Sequence, residues 1–407
     1  MKRLVVFFSI ALVAIASLTQ LDDELTPEAK QLLLQQQNPP SSNAYYYALG
    51  FSAQAGNDPK TVGEQRFLAL SQTTAEGQEN SAQPPLLLPE GEPFCRFSQP
   101  QCLEYLLTHD NNGLLTQHSL LLNRFRHFLT FNEYTTQTLP DAAEEFVPYR
   151  YLNHAARLAL IEAIQAYQQG AVVVAEDKLT QQFRQIRRAM ALQDTVIGKM
   201  LMLSWLNDIL DLHSVILAQS GRRSHRLSRL TQAEKSFSDI IAREFMLSYR
   251  LFRQLDKRPD FFDEQGELPG WLVRIVFKPN MSVNAITPGL YRLQRLSLLP
   301  PNEFAAAVRH EPPGKARSSM LRNYAGHVLV GISADFDQYL ARLHDFDIKL
   351  MMFNQLYHWQ QSADALTHPY FNKQQLRKTE TSLCFPSVIE NNRQPPCLIL
   401  ALKPATE

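Results

Sequence analysis

The sequence predicts a mainly α-helical protein: an irregular bundle with tetratricopeptide-like helix hairpins, a small mixed C-terminal tail and a single N-terminal membrane helix. Three observations support this class. The middle of the chain has long stretches without glycine or proline in which apolar residues recur every third or fourth position. A short apolar run follows two cations at the N-terminus. Residues 362–407 are rich in proline and contain two of the four cysteines.

The N-terminal segment predicts an export signal or a membrane anchor. Lys2 and Arg3 precede an apolar run over 4–18, and three acidic residues follow at 22–24. Extended through Leu21, the run has about 18 residues, which is enough to cross a bilayer as a helix. We therefore predict that 4–21 lies in a membrane and that the rest of the chain lies outside the cytoplasm.

A cleaved signal is the alternative interpretation of the same segment. Ala14, Ile15 and Ala16 fit the small-x-small pattern that precedes a signal-peptidase site, which places the cut before Ser17. Cleavage would release a soluble periplasmic protein, whereas an uncleaved segment would tether it. The sequence alone leaves both outcomes open.

Composition and charge divide the remainder into three parts. We predict an acidic, partly irregular membrane-proximal segment over 22–93, a helical body over 94–361 and the proline-rich tail over 362–407. The whole chain has 40 basic and 40 acidic residues, so it offers no extended field for a polyanion. Nucleic acid is therefore not a predicted partner.

Four cysteines form two close pairs in the sequence, Cys95 with Cys102 and Cys384 with Cys397. Neither spacing matches a CxxC redox motif or the paired CxxC of a zinc site. In an oxidising compartment these spacings predict two local disulfides, although a crossed pairing would use the same residues. No metal site and no cofactor are predicted.

Several helices can be assigned from their apolar spacing. A helix hairpin is predicted over 151–168 and 172–192, with Gly170 at the turn. Residues 195–219 are apolar nearly all round, which predicts the central buried helix. The run 271–277 favours a β-strand, although a helix fits as well. A last long helix is predicted from a cap at Ser333 to about Gln361.

Candidate catalytic residues are few. The chain has no Gly-x-Ser-x-Gly elbow, no HExxH motif and no glycine-rich phosphate loop. His344 and Asp347 would share one face of a helix, a geometry that acid–base chemistry or a metal can use. The favoured alternative is an exposed helix face with local ion pairing. His310, next to Glu311, is a further weak candidate.

A basic cluster is the strongest local charge feature. It predicts binding to anionic lipid headgroups or to an acidic partner protein, and its arginines are Arg222, Arg223, Arg226 and Arg229. Two other interpretations use the same residues. The cluster could pair with the acidic N-terminal part of this chain, or it could form a solvated loop between helices, which is the favoured alternative.

Two N-terminal motifs resemble those of a group of uncharacterised proteobacterial proteins. The first is DDELTPEA at 22–29; the second is NAYYYALGF at 43–51, followed by Asp58 and Pro59. Proteins of this group look alike in having one N-terminal membrane helix and a long helical body. The similarity covers mainly the first 65 residues. It implies a tethered rather than a secreted protein, and it supplies no catalytic residues.

These observations together predict a protein of the cell envelope, held at the outer face of a bacterial inner membrane with its bulk in the periplasm. The leading functional hypothesis is an interaction or scaffold module without catalysis, whose helical surface or groove binds an envelope protein. An envelope hydrolase with a site built from scattered polar residues is the second hypothesis. Binding of a lipid or small ligand between helices is the third.

Overall fold

A computed structural model describes residues 20–36, 39–72, 85–97, 99–141, 144–222, 226–255, 257–258, 261–262, 269–311, 319–332, 336–356, 377–389 and 397–401. The predicted membrane segment up to residue 19 and the predicted cleavage site lie outside these residues. So do Arg223 of the basic cluster and the predicted helix cap at Ser333.

The described chain is mainly helical, which confirms the predicted fold class. The helices, numbered in chain order, are α1 (Pro27–Gln35), α2 (Asn43–Leu49), α3 (Pro59–Gln72), α4 (Pro100–Thr108), α5 (Asn112–Gln117), α6 (Ser119–Phe128), α7 (Tyr149–Gln168), α8 (Val172–Ala191), α9 (Val196–Ser220), α10 (Gln232–Lys235), α11 (Ser238–Leu255), α12 (Gly270–Val276), α13 (Pro279–Ser297), α14 (Pro301–His310), α15 (Tyr324–Gly331) and α16 (Asp337–Asn354). A 3₁₀ turn covers Glu92–Phe94.

The centre of the bundle is α9. It packs against α7, α8 and α16 and against the C-terminal sheet. Within the part of the chain that the structure describes, α9 is the one helix long and apolar enough to cross a membrane, but most of its residues are buried inside the protein. The prediction of a central buried helix is therefore confirmed. The predicted hairpin before it is also present as α7 and α8, joined at Gly170 with φ +77°.

The tyrosine-rich segment forms α2, which crosses α3 at unusually short range. A Cβ atom added at Gly50 would lie 1.9 Å from the carbonyl oxygen of Pro59. A Cβ atom at Gly63 would lie 1.7 Å from the carbonyl oxygen of Tyr46. The two backbones touch at positions where any side chain would collide, so glycine is required at both. This crossing in turn places Tyr45 and Tyr47 in the core.

The run 271–277 is helical, so the β-strand interpretation is wrong. It forms α12, which begins after Pro269 and ends at Val276, and the chain is extended at Phe277. A helix satisfies its own backbone hydrogen bonds and therefore needs no neighbouring strand at this position. The last long helix, α16, ends at Asn354, and residues 357–361 of its predicted extent lie outside the described residues.

The C-terminal tail forms a small antiparallel sheet of β1 (Arg377–Lys378), β2 (Ser382–Cys384) and β3 (Cys397–Ile399). Cys384 and Cys397 are paired residues of β2 and β3 and form a disulfide. A second disulfide joins Cys95 to Cys102. Both predicted pairings are confirmed. Since β3 packs on α9 and α16, the Cys384–Cys397 bond holds the tail together where it meets the core.

Replacing Gly63 by alanine should destabilise the protein, because the added methyl group would force α2 and α3 apart. Overpacking of this kind costs about 2 kcal/mol. The matched control is Gly113→Ala in α5, where a Cβ atom meets nothing within 4 Å and alanine is the better helix former. Urea unfolding of the detergent-solubilised chain should show a lower free energy of unfolding for Gly63→Ala and an equal or higher one for Gly113→Ala. Equal effects of the two substitutions would contradict the close crossing.

Candidate functional site

A line of polar residues runs along the otherwise apolar helix α9. Ser204, Asn207, Asp208 and Asp211 are spaced by three, one and three residues, so they lie on one side of the helix. We call these four residues the α9 seam. Polar groups in the middle of a core helix are costly unless they are hydrogen-bonded or paired. The partners of the seam therefore decide what this part of the protein can do.

Asp211, at the inner end of the seam, forms an ion pair with a residue of α16. The ammonium group of Lys349 lies 2.7 Å from Asp211 Oδ1, and both side chains are nearly buried. The backbone amide of Ile399 in β3 donates a hydrogen bond of 3.2 Å to the same oxygen. Lys349 also donates to Asn207 Oδ1 at 3.3 Å. Asp211 therefore joins the central helix, α16 and the tail at one point.

Asp208, in the middle of the seam, is paired with α7. Arg157 Nη2 lies 3.4 Å from Asp208 Oδ2. The same guanidinium group stacks over the ring of Phe97 at 4.2 Å and donates to the sulfur of Cys102 at 3.5 Å. Arg157 is itself buried. Its contacts with Phe97 and Cys102 hold the guanidinium group close to Asp208.

A cavity of about 360 Å³ opens between the α9 seam and a second polar stripe on α16. The residues of this stripe follow one another at steps of four, three and four and therefore share a helix face: Gln338, Arg342, Asp345 and Lys349. Ser387, from the segment after β2, donates a 2.7 Å hydrogen bond to Asp345 Oδ2. Met200, Leu203, Ala341, Phe346 and Ile389 supply apolar lining. We call this space the α9–α16 cavity.

The carboxyl groups of the seam are strongly influenced by their surroundings. Burial raises the pKa of Asp208 to about 7, and the attraction of Arg157 opposes this shift. Burial also raises the pKa of Asp211, against the attraction of Lys349. The Asp208 side chain is 20% exposed because it borders the cavity. It can therefore accept or donate a proton near neutral pH and hydrogen-bond to a bound group.

His344 is buried, so the prediction of an exposed helix face is wrong at this position. Its side chain is 1% exposed, and its ring stacks on Phe304 with the centroids 4.0 Å apart. Burial, together with the positive charge of Lys235, lowers the pKa of His344 to about 3. A histidine that stays neutral at physiological pH inside the core is packing against its neighbours rather than exchanging protons with a substrate.

Asp347 is also buried, and its carboxylate is occupied by a structural ion pair. Arg229 binds it in a bidentate manner, with Nε 2.9 Å from Oδ1 and Nη2 2.6 Å from Oδ2. The backbone amide of Leu230 donates to Oδ1 at 2.9 Å. One predicted catalytic residue and one predicted binding residue are thus partners of each other. The pair fixes the segment before α10 onto α16.

The remaining arginines of the basic cluster differ from one another in their surroundings. Arg222 pairs with Glu176 of α8 at 2.8 Å, and Arg226 is exposed. The acidic partners of Arg222 and Arg229 thus belong to α8 and α16, so the expectation that they pair with the acidic N-terminal part of the chain is wrong. His310 is exposed at the last residue of α14 and does not line the cavity.

Sequence reasoning missed the α9–α16 cavity, although its signal is present in the sequence. The polar positions of both helices recur every three or four residues, and the four on α9 interrupt the long, mostly buried helix at the centre of the body. His344 and Asp347, the predicted acid–base pair, lie outside the stripe that lines the cavity. Among the described residues, no group of three or more His, Cys, Asp or Glu side chains could hold a metal ion.

Comparisons of this chain with protein-family models, with curated proteins and with solved structures found no match. The resemblance to proteobacterial membrane-anchored proteins stays a prediction from the two N-terminal motifs.

Neutralising Asp208 should change how stability depends on pH. The pKa of this carboxyl is about 7 in the folded chain and about 3.9 in an unfolded chain. Between these values the folded state binds more protons, so its stability falls as the pH rises from about 4 to about 7. Asp208→Asn has no carboxyl at this position, so it does not show this loss of stability with rising pH. Its free energy of unfolding relative to wild type should rise by about 2.5 kcal/mol between pH 5 and pH 8.

Urea unfolding at the two pH values measures this difference. Asp177→Asn on the exposed side of α8 is the matched control, because its carboxyl lies at the surface. An offset from wild type that stays constant with pH for Asp208→Asn would show that this carboxyl has an ordinary pKa.

Proposed function

We propose that the chain is a membrane-anchored protein of the cell envelope whose α9–α16 cavity binds a polar segment of a partner protein. The proposed address is the outer face of the bacterial inner membrane, with the helical body in the periplasm. Its support is the sequence order of Lys2 and Arg3 before an apolar run, followed by acidic residues. The two disulfides, which are typical of oxidising compartments, also agree with it.

The observation that carries the binding role is the cavity itself. A volume of about 360 Å³ lies in the range of ligand sites, which combine apolar lining with a few convergent polar groups. Here the apolar side chains of Leu203 and Phe346 lie beside the carboxylates of Asp208 and Asp345. These carboxylates are hydrogen-bond acceptors, so an occupant with amide, hydroxyl or amine donors suits the cavity.

A peptide segment is the occupant that fits these features best. A folded partner can insert one side chain with its adjoining backbone into a space of this size, and backbone amides supply the required donors. The cavity also borders the disulfide-bonded tail through Ser387, so the tail forms one wall of the binding site. In this role the anchored body acts as a scaffold, because it holds its bound partner near the membrane.

Acid–base catalysis is the second candidate function, and one observation favours it. A carboxyl with a pKa of about 7 that borders a cavity is typical of catalytic acids and bases. Binding and catalysis respond differently to the loss of this group. Asp208→Asn would abolish turnover by a hydrolase, whereas a binding site would keep a residual affinity for its partner.

Site-specific photocrosslinking in intact cells tests the binding role. A photoreactive amino acid at Gln338, which lines the cavity, should give a discrete crosslinked species. The same amino acid at Gln181, which is exposed on α8, is the matched control and should not give that species. The combined change Asp208→Asn and Asp345→Asn should weaken crosslinking from Gln338 about tenfold, because each amide replaces one acceptor oxygen of the carboxylate by an NH2 donor, which cannot accept from the donors of the partner.

Failure to obtain a discrete species from Gln338, or the same species from both positions, would contradict the proposed binding site. A species that persists unchanged in the doubly substituted chain would place the contact outside the cavity.

A further inference from the structure

Helix α15 has an exposed apolar stripe that no described element covers. Tyr324, Val328 and Ile332 follow one another at steps of four residues, which places them on one side of the helix and its C-terminal end, and Leu321 lies in the turn before the helix. Leu321 is 96% exposed and Ile332 is 75% exposed. The opposite side of the helix is buried in the protein through Gly326 and Val330.

Helix α12 extends this apolar surface. It contacts α15, and it buries Val273 while Trp271, Leu272 and Val276 remain exposed. We call the exposed apolar residues of these two helices and of the turn before α15 the α12–α15 face. Large apolar side chains exposed together on two helices in contact are more typical of an interaction site than of ordinary surface, where such residues are scattered singly.

The end of the predicted membrane segment is attached to this face. Gln20 Nε2 donates a 3.0 Å hydrogen bond to the backbone carbonyl of Trp271 in α12. Arg322, in the turn before α15, donates to the carbonyl of Leu21 at 3.2 Å and pairs with Asp23 at 3.2 Å. The chain therefore reaches the body between the two helices that carry the exposed apolar residues.

The attachment continues on α13. The Asp22 carboxylate accepts hydrogen bonds from the backbone amides of Asn280 and Met281, at 2.7 and 3.2 Å, in the first turn of α13. An acidic group is stabilised at a helix N-terminus by the helix dipole. Two further bonds link Asn284 to the backbone of Glu24 and Thr26, at 2.8 and 3.0 Å. From Gln20 to Thr26 the chain is therefore held against the body.

We propose that the α12–α15 face rests on the bilayer that the N-terminal segment spans, so that the body is seated on the membrane in one orientation. This inference rests on the proposed membrane anchor. With attachment beginning at Gln20, a membrane segment that ends at Leu21 brings the α12–α15 face to the bilayer surface. Trp271 and Tyr324 are the residue types enriched at the level of lipid headgroups.

The chemistry of the face fits a lipid surface. Leu321, Val328 and Ile332 would enter the boundary between headgroups and acyl chains, as the apolar sides of interfacial helices do. Arg274 is exposed on α12 beside the apolar residues, where it can meet anionic headgroups. The face thus combines the aromatic, aliphatic and basic side chains that are typical of protein surfaces bound at the membrane interface.

Quenching of tryptophan fluorescence by brominated lipid tests this proposal on the full chain. The protein is reconstituted into vesicles of phosphatidylcholine and phosphatidylglycerol, with ordinary or brominated acyl chains. The chain has three tryptophans, so the Trp271 signal is the difference between wild type and Trp271→Phe. Brominated lipid should quench this difference signal, and the combined change Leu321→Glu and Ile332→Glu should reduce its quenching about twofold or more.

Leu87→Glu is the matched control. Leu87 is also an exposed apolar residue, but it belongs to a different part of the surface, since the neighbouring Leu86 accepts a hydrogen bond from Tyr151 of α7. This substitution should leave Trp271 quenching unchanged. If the chain floats with the vesicles but Trp271 is not quenched, the seating is overturned and the anchor stands. If the chain fails to associate with vesicles at all, both the anchor and the seating are overturned.

Discussion

Asp208 and Asp211 lie on a helix that is otherwise buried in apolar surroundings, and the need to partner them constrains the whole body. An isolated buried charge is so unfavourable that it must be paired or neutralised. Lys349 and the Ile399 amide meet Asp211, while Arg157 meets Asp208. These contacts fix α16, the tail sheet and α7 in relation to α9. The α9–α16 cavity lies where these two polar stripes face each other, with apolar side chains beside them.

The same principle recurs elsewhere in the bundle. Pairs of buried side chains far apart in the sequence join separate elements: Arg187 with Glu234, Arg243 with Glu144, and Arg292 with Asp337. Glu234 also forms a capping box with Thr231, so one carboxylate both begins α10 and ties it to α8. Two apolar helix faces can pack against each other in several registers. A buried bidentate ion pair forms in only one register, because only there do the two charged groups meet. Buried charges therefore select the arrangement that the apolar core stabilises.

Local patterns predicted much of the fold and little of the site. The spacing of apolar residues was sufficient to predict α7, α8 and α9. The short sequence distance between the cysteines of each pair was sufficient to predict both disulfides. For 271–277 the strand favoured by the sequence is wrong and the alternative helix is present, because a short apolar segment has no period long enough to separate the two. His344 was expected on an exposed face because the orientation of a helix depends on what packs against it. The cavity needs two stripes from distant parts of the chain, and a single sequence does not reveal that they face each other.

The most direct test of this account is a double-mutant cycle between Asp211 and Lys349. Lys349→Met alone should cost about 3 kcal/mol in the free energy of unfolding, because it leaves a buried carboxylate without its cation. In an Asp211→Asn background the same change should cost about 2 kcal/mol less, since the charge to be partnered is gone. Urea unfolding of the four chains gives this coupling energy. Additive costs would show that the ion pair does not hold α9 and α16 together.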